Sequence, residues 1–167
     1  MPKLRRSFDD VPMPVLLRHA RMAYASAMRT ALAEAGYDDI PKNGLYVIGG
    51  LALQAGGHPL GQLIEELRIS KQAAGQLVDT LVTRGYLERN VDTQDRRKLT
   101  IGLTERGRAA AKVLTAASAT VDVELLSRVG PKEVERARRA LFVLVDIGRK
   151  LDTQDDHRRS TSREGST

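Results

Sequence analysis

Apolar residues along the chain recur at steps of three and four over most of its length, and this sets the expected elements. From Pro14 to Ala35 they fall at Leu16, Leu17, Ala20, Tyr24, Ala27, Met28, Ala31, Leu32 and Ala35. That spacing predicts an amphipathic helix, with Pro14 suited to its first turn and Gly36 to its stop. A less regular segment from Pro41 to Leu53, interrupted by Gly49-Gly50, is read as a second helix. After the turn Ala55-Gly56-Gly57-His58-Pro59, the stripe Leu60, Leu63, Ile64 and Leu67 marks a third. Ile69-Ser70 breaks the pattern, and Ser70 is a good N-cap for a helix from Lys71 to Arg84. Ala74, Leu77, Val78 and Leu81 turn inward on that helix, and Gly85 ends it.

The period then changes from 3.6 to 2. Tyr86–Val91 and Lys98–Leu103 are short strands, the second with Leu99, Ile101 and Leu103 on one face. Asp92-Thr93-Gln94-Asp95-Arg96-Arg97 is the turn between them, so the pair forms a hairpin with a charged tip. Thr104 caps a long Ala-rich helix reaching about Arg128, and Gly130-Pro131 separates it from another that ends near Leu151. The expected organisation is a flexible arm over 1–13, a helix-turn-helix with hairpin over 41–103, and terminal helices over 14–36 and 104–151. The tail 152–167 is polar, carries both charge signs and lacks an apolar period, and is expected to be disordered.

Composition adds a direction. Only 4% of residues are aromatic, with no tryptophan, which favours helices over a sandwich of sheets. A net charge of +6, from 27 Lys+Arg against 21 Asp+Glu, suits a polyanionic partner. The absence of cysteine rules out disulfides, thiolate metal sites and thiol redox switching. No apolar run is long enough to span a bilayer, so no membrane association is expected. The basic N-terminus has no apolar segment behind it to make a secretory signal, and the expected compartment is the cytoplasm.

The order helix, helix, helix-turn-helix, charged hairpin, long helix, long helix resembles the MarR family of bacterial winged-helix regulators. The residues carrying the match are SKQAAGQLVDTLVTRGYLER followed by DTQDRRKLTIGLTERG. The resemblance spans roughly 14–150 and is strongest from Leu60 to Gly107. It implies a mainly α fold with a small β-hairpin wing, in which a winged helix-turn-helix domain joins interlaced terminal dimerisation helices. It also implies a homodimer on a palindromic operator of double-stranded DNA, often a repressor released by a small aromatic or lipophilic effector, with no cofactor. The family's ligand site lies between dimer helices and winged domain, which here points to Tyr24, Met28, Tyr46 and Leu53.

A helix fits the major groove and reads bases with its outward face. Here that face holds Lys71, Gln72, Ala73, Gly75, Gln76 and Thr80, with Ser70 at the helix start. Glutamine can bond adenine through N6 and N7, and Ala73 can pack on a thymine methyl. Lys71 and Thr80 suit phosphates, and the helix N-terminus at Ser70 attracts anions. The competing reading is a solvated surface helix; the neighbouring hairpin favours the DNA reading. Gly75 stands where the family offers a polar side chain. Either the helix backbone comes close to DNA there, or the glycine is a tolerated defect.

At the tip, Arg96, Arg97 and Lys98 can reach phosphates or a narrow minor groove, with Asp92 and Asp95 placed to orient an arginine. The plainer alternative is a solvated mixed-charge loop. Catalytic constellations are lacking: His19, His58 and His157 have no metal-ligand spacing, and Glu65-Glu66 reads as a solvated helix edge. No enzyme is expected. The rival to a DNA-binding regulator is a protein-interaction scaffold that keeps the winged helix and has lost DNA binding.

Overall fold

The computed structural model describes residues 10–53, 58–59, 64, 69–91 and 99–164, with side chains as far as residue 151 except at His58. The chain divides into two compact units at residues 121 and 122. Among the described residues the elements run α1 (Met13–Glu34), α2 (Gly44–Ala52), β1 (His58–Pro59), α3 (Lys71–Thr83), β2 (Leu87–Val91), β3 (Leu99–Leu103), α4 (Glu105–Val129) and α5 (Pro131–Glu164). No described helix is long and apolar enough to cross a membrane.

The first unit is built on one core. Met28 and Leu32 of α1, Leu45, Val47, Ile48 and Leu51 of α2, and Val78 and Leu81 of α3 meet Tyr86, Leu87, Ile101 and Leu114. The irregular second helix forms because four of its nine residues are large apolar groups in this core, which outweighs the cost of Gly49-Gly50. A Cβ at either glycine would meet nothing within 4 Å, so neither is there for close packing.

Two helix ends share one geometry. At Gly36 (φ +79°) the Tyr37 N–H donates to the Leu32 carbonyl at 2.8 Å and the Gly36 N–H to that of Ala33 at 3.1 Å. At Gly85 (φ +74°) the Tyr86 N–H donates to Leu81 at 2.9 Å and the Gly85 N–H to Val82 at 2.9 Å. Both are Schellman closures, which need the left-handed conformation that glycine adopts without strain. Each delivers a tyrosine just past the helix, and the rings meet edge to face at 6.2 Å.

The hairpin is antiparallel, pairing Leu87 with Leu103 through to Val91 with Leu99. Here the sequence reading needs a correction. His58-Pro59, read as part of a turn, is a short strand on the free edge of β3, opposite Ile101 and Thr100, so the sheet order is β1-β3-β2. Proline is tolerated in a strand at such an edge. The third helix, over Leu60–Leu67, lies outside the described residues except Ile64, which is helical.

In the second unit, α5 runs on to Glu164, past the expected end at Leu151. The expected disordered tail from 152 is therefore corrected to helix as far as 164. No glycine or proline lies between Lys150 and Glu164 to stop the helix, and adding a residue to an existing helix is far easier than starting one.

Candidate nucleic-acid interface

Helix α3 starts as its sequence predicts: Ser70 Oγ accepts from the Ala73 N–H at 3.2 Å. Ala74, Val78 and Leu81 are fully buried, and Leu77 packs against the core beside them. This fixes the opposite face outward. Lys71, Gln72, Ala73 and Gln76 are exposed there, and Gly75 and Thr80 are half-buried. The Thr80 hydroxyl donates to the Gln76 carbonyl at 2.7 Å, which spends its proton inside the helix. A Cβ on Gly75 would meet nothing within 4 Å.

One residue of that face was missed. Asp79 lies three residues beyond Gln76 and seven beyond Gln72, in the middle of the outward stripe. Its carboxylate pairs with the Arg89 guanidinium from β2. Spacing along the helix places Asp79 on that face; nothing in the sequence names its partner.

The base of the hairpin is held from several sides. Thr104 Oγ1 donates to the Gly85 carbonyl at 2.5 Å and accepts from the Gly107 N–H at 3.0 Å, capping α4. The Thr104 N–H donates to the Tyr86 carbonyl at 3.1 Å. Gly107 lies against that same carbonyl: a Cβ there would stand 2.0 Å from the oxygen. The Leu103-Thr104-x-x-Gly107 part of the motif thus has a physical reason, joining strand, cap and helix in one knot.

Tyr86 is the centre of the knot. Its ring is completely buried, and its hydroxyl donates to Asp39 Oδ1. Arg106 donates to the Tyr86 hydroxyl at 2.9 Å, to Asp39 at 3.2 Å and to the Arg84 carbonyl at 3.0 Å, with its guanidinium 4.4 Å from the ring centre. Burial, first, and then the Asp39 carboxylate push the Tyr86 phenol up to about 12, against the opposing pull of Arg106. Neither Asp39 nor Arg106 carries a sequence signal for this role.

The wing tip residues Asp95, Arg96, Arg97 and Lys98, with Asp92, lie outside the described residues. Of the expected ligand group, Met28 belongs to the core and Tyr24 and Tyr46 pack against it, while Arg21 lies over the Tyr46 ring at 4.3 Å. Leu53 is 89% exposed in the single chain, because α2 ends at Ala52 and its buried face ends at Leu51. A cavity of about 750 Å³ opens elsewhere in this unit. Leu51, Ile101, Leu103 and Ala111 are among its apolar lining, and Glu88, Asn90, Arg108 and Lys112 among its polar lining.

A capped, half-buried helix beside an antiparallel hairpin, stacked on a helical core, is the arrangement of a winged-helix domain. Residues 43–98 match the model of the MarR family. The fold is similar to that of a MarR transcriptional regulator from Methanosarcina mazei Go1, with TM-score 0.70 and 19% identity over 83% of this chain and 97% of that one. Streptococcus pneumoniae FabT in complex with DNA gives TM-score 0.68 and 19% identity over 83% and 95% of the two chains. The S. aureus MepR–DNA complex gives 0.65 and 21% over 82% and 98%. No curated protein sequence matches the chain. At these identities the structural likeness is one of fold. The resemblance carried by the SKQAAGQLVDTL and DRRKLTIGLTERG stretches is thus borne out, as is the mainly α fold with its hairpin.

Proposed function

We propose that the chain is a homodimeric DNA-binding transcriptional regulator of the MarR type, working in the cytoplasm as a repressor that a small ligand releases from a palindromic operator. The observation that carries this reading is the outward stripe of α3, with Gln72 and Gln76 one turn apart on a helix fixed by a buried opposite face. The S. aureus MepR and S. pneumoniae FabT structures, similar in fold, are described in complex with DNA.

Dimerisation is supported by α5. Leu141, Phe142, Val143, Leu144 and Val145 are consecutive and all exposed, with Phe142 at 71%. Five successive apolar residues circle a helix completely, so one flat partner cannot cover them. A second copy whose terminal helices interlace with this one would, and would present two recognition helices to a two-fold site. The effector is assigned to the cavity beside the wing, which is large enough for a compact aromatic or lipophilic molecule and has polar groups among its lining.

The test starts by selecting duplexes from a randomised pool with the full chain. Gln72→Ala should weaken the selected duplex by about 1–3 kcal/mol per half-site and leave random DNA unchanged. Arg97→Ala should weaken both and lower the salt slope by about one counterion per wing. A wild-type chain with no salt-sensitive DNA binding would show instead an interaction scaffold. A panel of phenolic and lipophilic compounds that moves neither melting temperature nor DNA affinity would remove the effector from the proposal.

A further inference from the structure

The Asp79–Arg89 pair is not explained by stability or by the contacts assigned so far. Its side chains are 60% and 41% exposed, and an ion pair that open contributes about 0–1 kcal/mol. The Asp39–Arg106 pair differs, because there the arginine also holds a buried tyrosine and a helix-end carbonyl. A bare carboxylate at Asp79 would stand on the same stripe as Gln72 and Gln76 and repel a phosphate backbone. Arg89 cancels that charge.

We propose that Arg89 is a DNA-contacting residue at the junction of recognition helix and wing, and that Asp79 is its positioning residue. The inference rests on the DNA-binding reading above. Arg89 is paired in register with Ile101, which is completely buried, so its backbone is anchored in the sheet. Only the long side chain is left to order, and Asp79 Oδ1 takes one of its terminal nitrogens. Guanidinium carries five N–H donors in a rigid fork, so the remaining edge can meet a phosphate or the O6/N7 edge of guanine. A lysine would keep the charge and lose the fork. Fixing the side chain before binding also removes part of the entropy cost of ordering it on DNA. The pair thereby ties the geometry of the wing strand to that of the helix.

The experiment titrates variants against the duplex that the wild-type chain selects and against a scrambled duplex, at several salt concentrations. Asp79→Ala should weaken the selected duplex roughly tenfold although it removes a negative charge, and leave the scrambled one unchanged or tighter. Asp38→Ala, removing an equal charge from an exposed loop, should not weaken the selected duplex. Arg89→Lys should keep the salt slope and lose preference for the selected duplex. The double variant Asp79→Ala/Arg89→Ala should bind no more weakly than Arg89→Ala alone. Asp79→Asn, which keeps the side-chain shape, serves if Asp79→Ala lowers the melting temperature. Tighter or unchanged binding of the selected duplex by the Asp79 variants, or losses that add in the double variant, overturns the positioning role while leaving the DNA-binding reading intact. A wild-type chain that selects no duplex overturns both.

Discussion

The wing root and the outward face of α3 lie within one folded unit and are built on opposite terms. At the root, Thr104, Gly107, Tyr86, Arg106 and Asp39 are joined by hydrogen bonds, a cation over a ring and a helix touching a carbonyl. On the outward face, Gln72 and Gln76 are exposed and a Cβ on Gly75 would meet only open space. The difference teaches where precision comes from in such a surface. A side chain that must later meet a partner has few contacts of its own, so its position is inherited from the packed side of the same helix. Ala74, Val78 and Leu81 therefore set the aim of Gln72 and Gln76.

The comparison is broken most severely at Gly107. Any side chain there must displace the Tyr86 carbonyl, which is backbone and already accepts from Thr104. Gly107→Ala should destabilise the winged unit by about 3 kcal/mol, at the upper end of overpacking costs. Chemical denaturation reads this directly, and a loss under 1 kcal/mol would mean that the root yields and is no knot.

A smaller effect belongs to Tyr86 and appears only in alkali. Its phenol is pushed up to about 12 in the folded chain, against about 10 when unfolded, so the folded state favours the neutral form. That contribution is complete below pH 10 and is lost as pH rises from 10 towards 12. Over that interval the wild type should lose about 2 kcal/mol more than Tyr86→Phe, a shift of about two units at ~1.36 kcal/mol each being not quite fully lost by pH 12. Parallel stability curves for the two chains would show that the hydroxyl is not held as described.

The smallest effect sharpens the other side. Gly75→Ala adds a methyl to open space in a helix, so it should stabilise the free chain by about 0.5–1 kcal/mol. The two readings of Gly75 then separate on DNA. A tolerated defect leaves affinity for the selected duplex unchanged, whereas a backbone approach costs affinity while stability rises. A fall in stability would contradict the open space.

Residues whose neighbours lie one turn or one strand away were legible in the sequence. The inward set of α3 and the Ser70 and Thr104 caps follow from local period and from the chemistry of helix ends. Asp39, Arg106 and Arg89 were not legible, because each acts through a partner in another element and polar residues in loops and at helix starts show no period. His58-Pro59 failed differently: two residues are too few to show alternation, and proline argues against a strand unless its edge position is known.

The link between Arg106 and Asp39 spans 67 residues of chain. Closing a loop of that length costs entropy that only the completed contacts return, and such non-local closures slow folding. On a ribosome, α1, α2 and α3 emerge before Arg106 and Gly107 exist as peptide, so the root of the wing cannot be finished until α4 has begun to appear. A growing chain holds α3 on an incomplete frame through most of the synthesis of the winged unit, and the frame locks only with the last residues to join it.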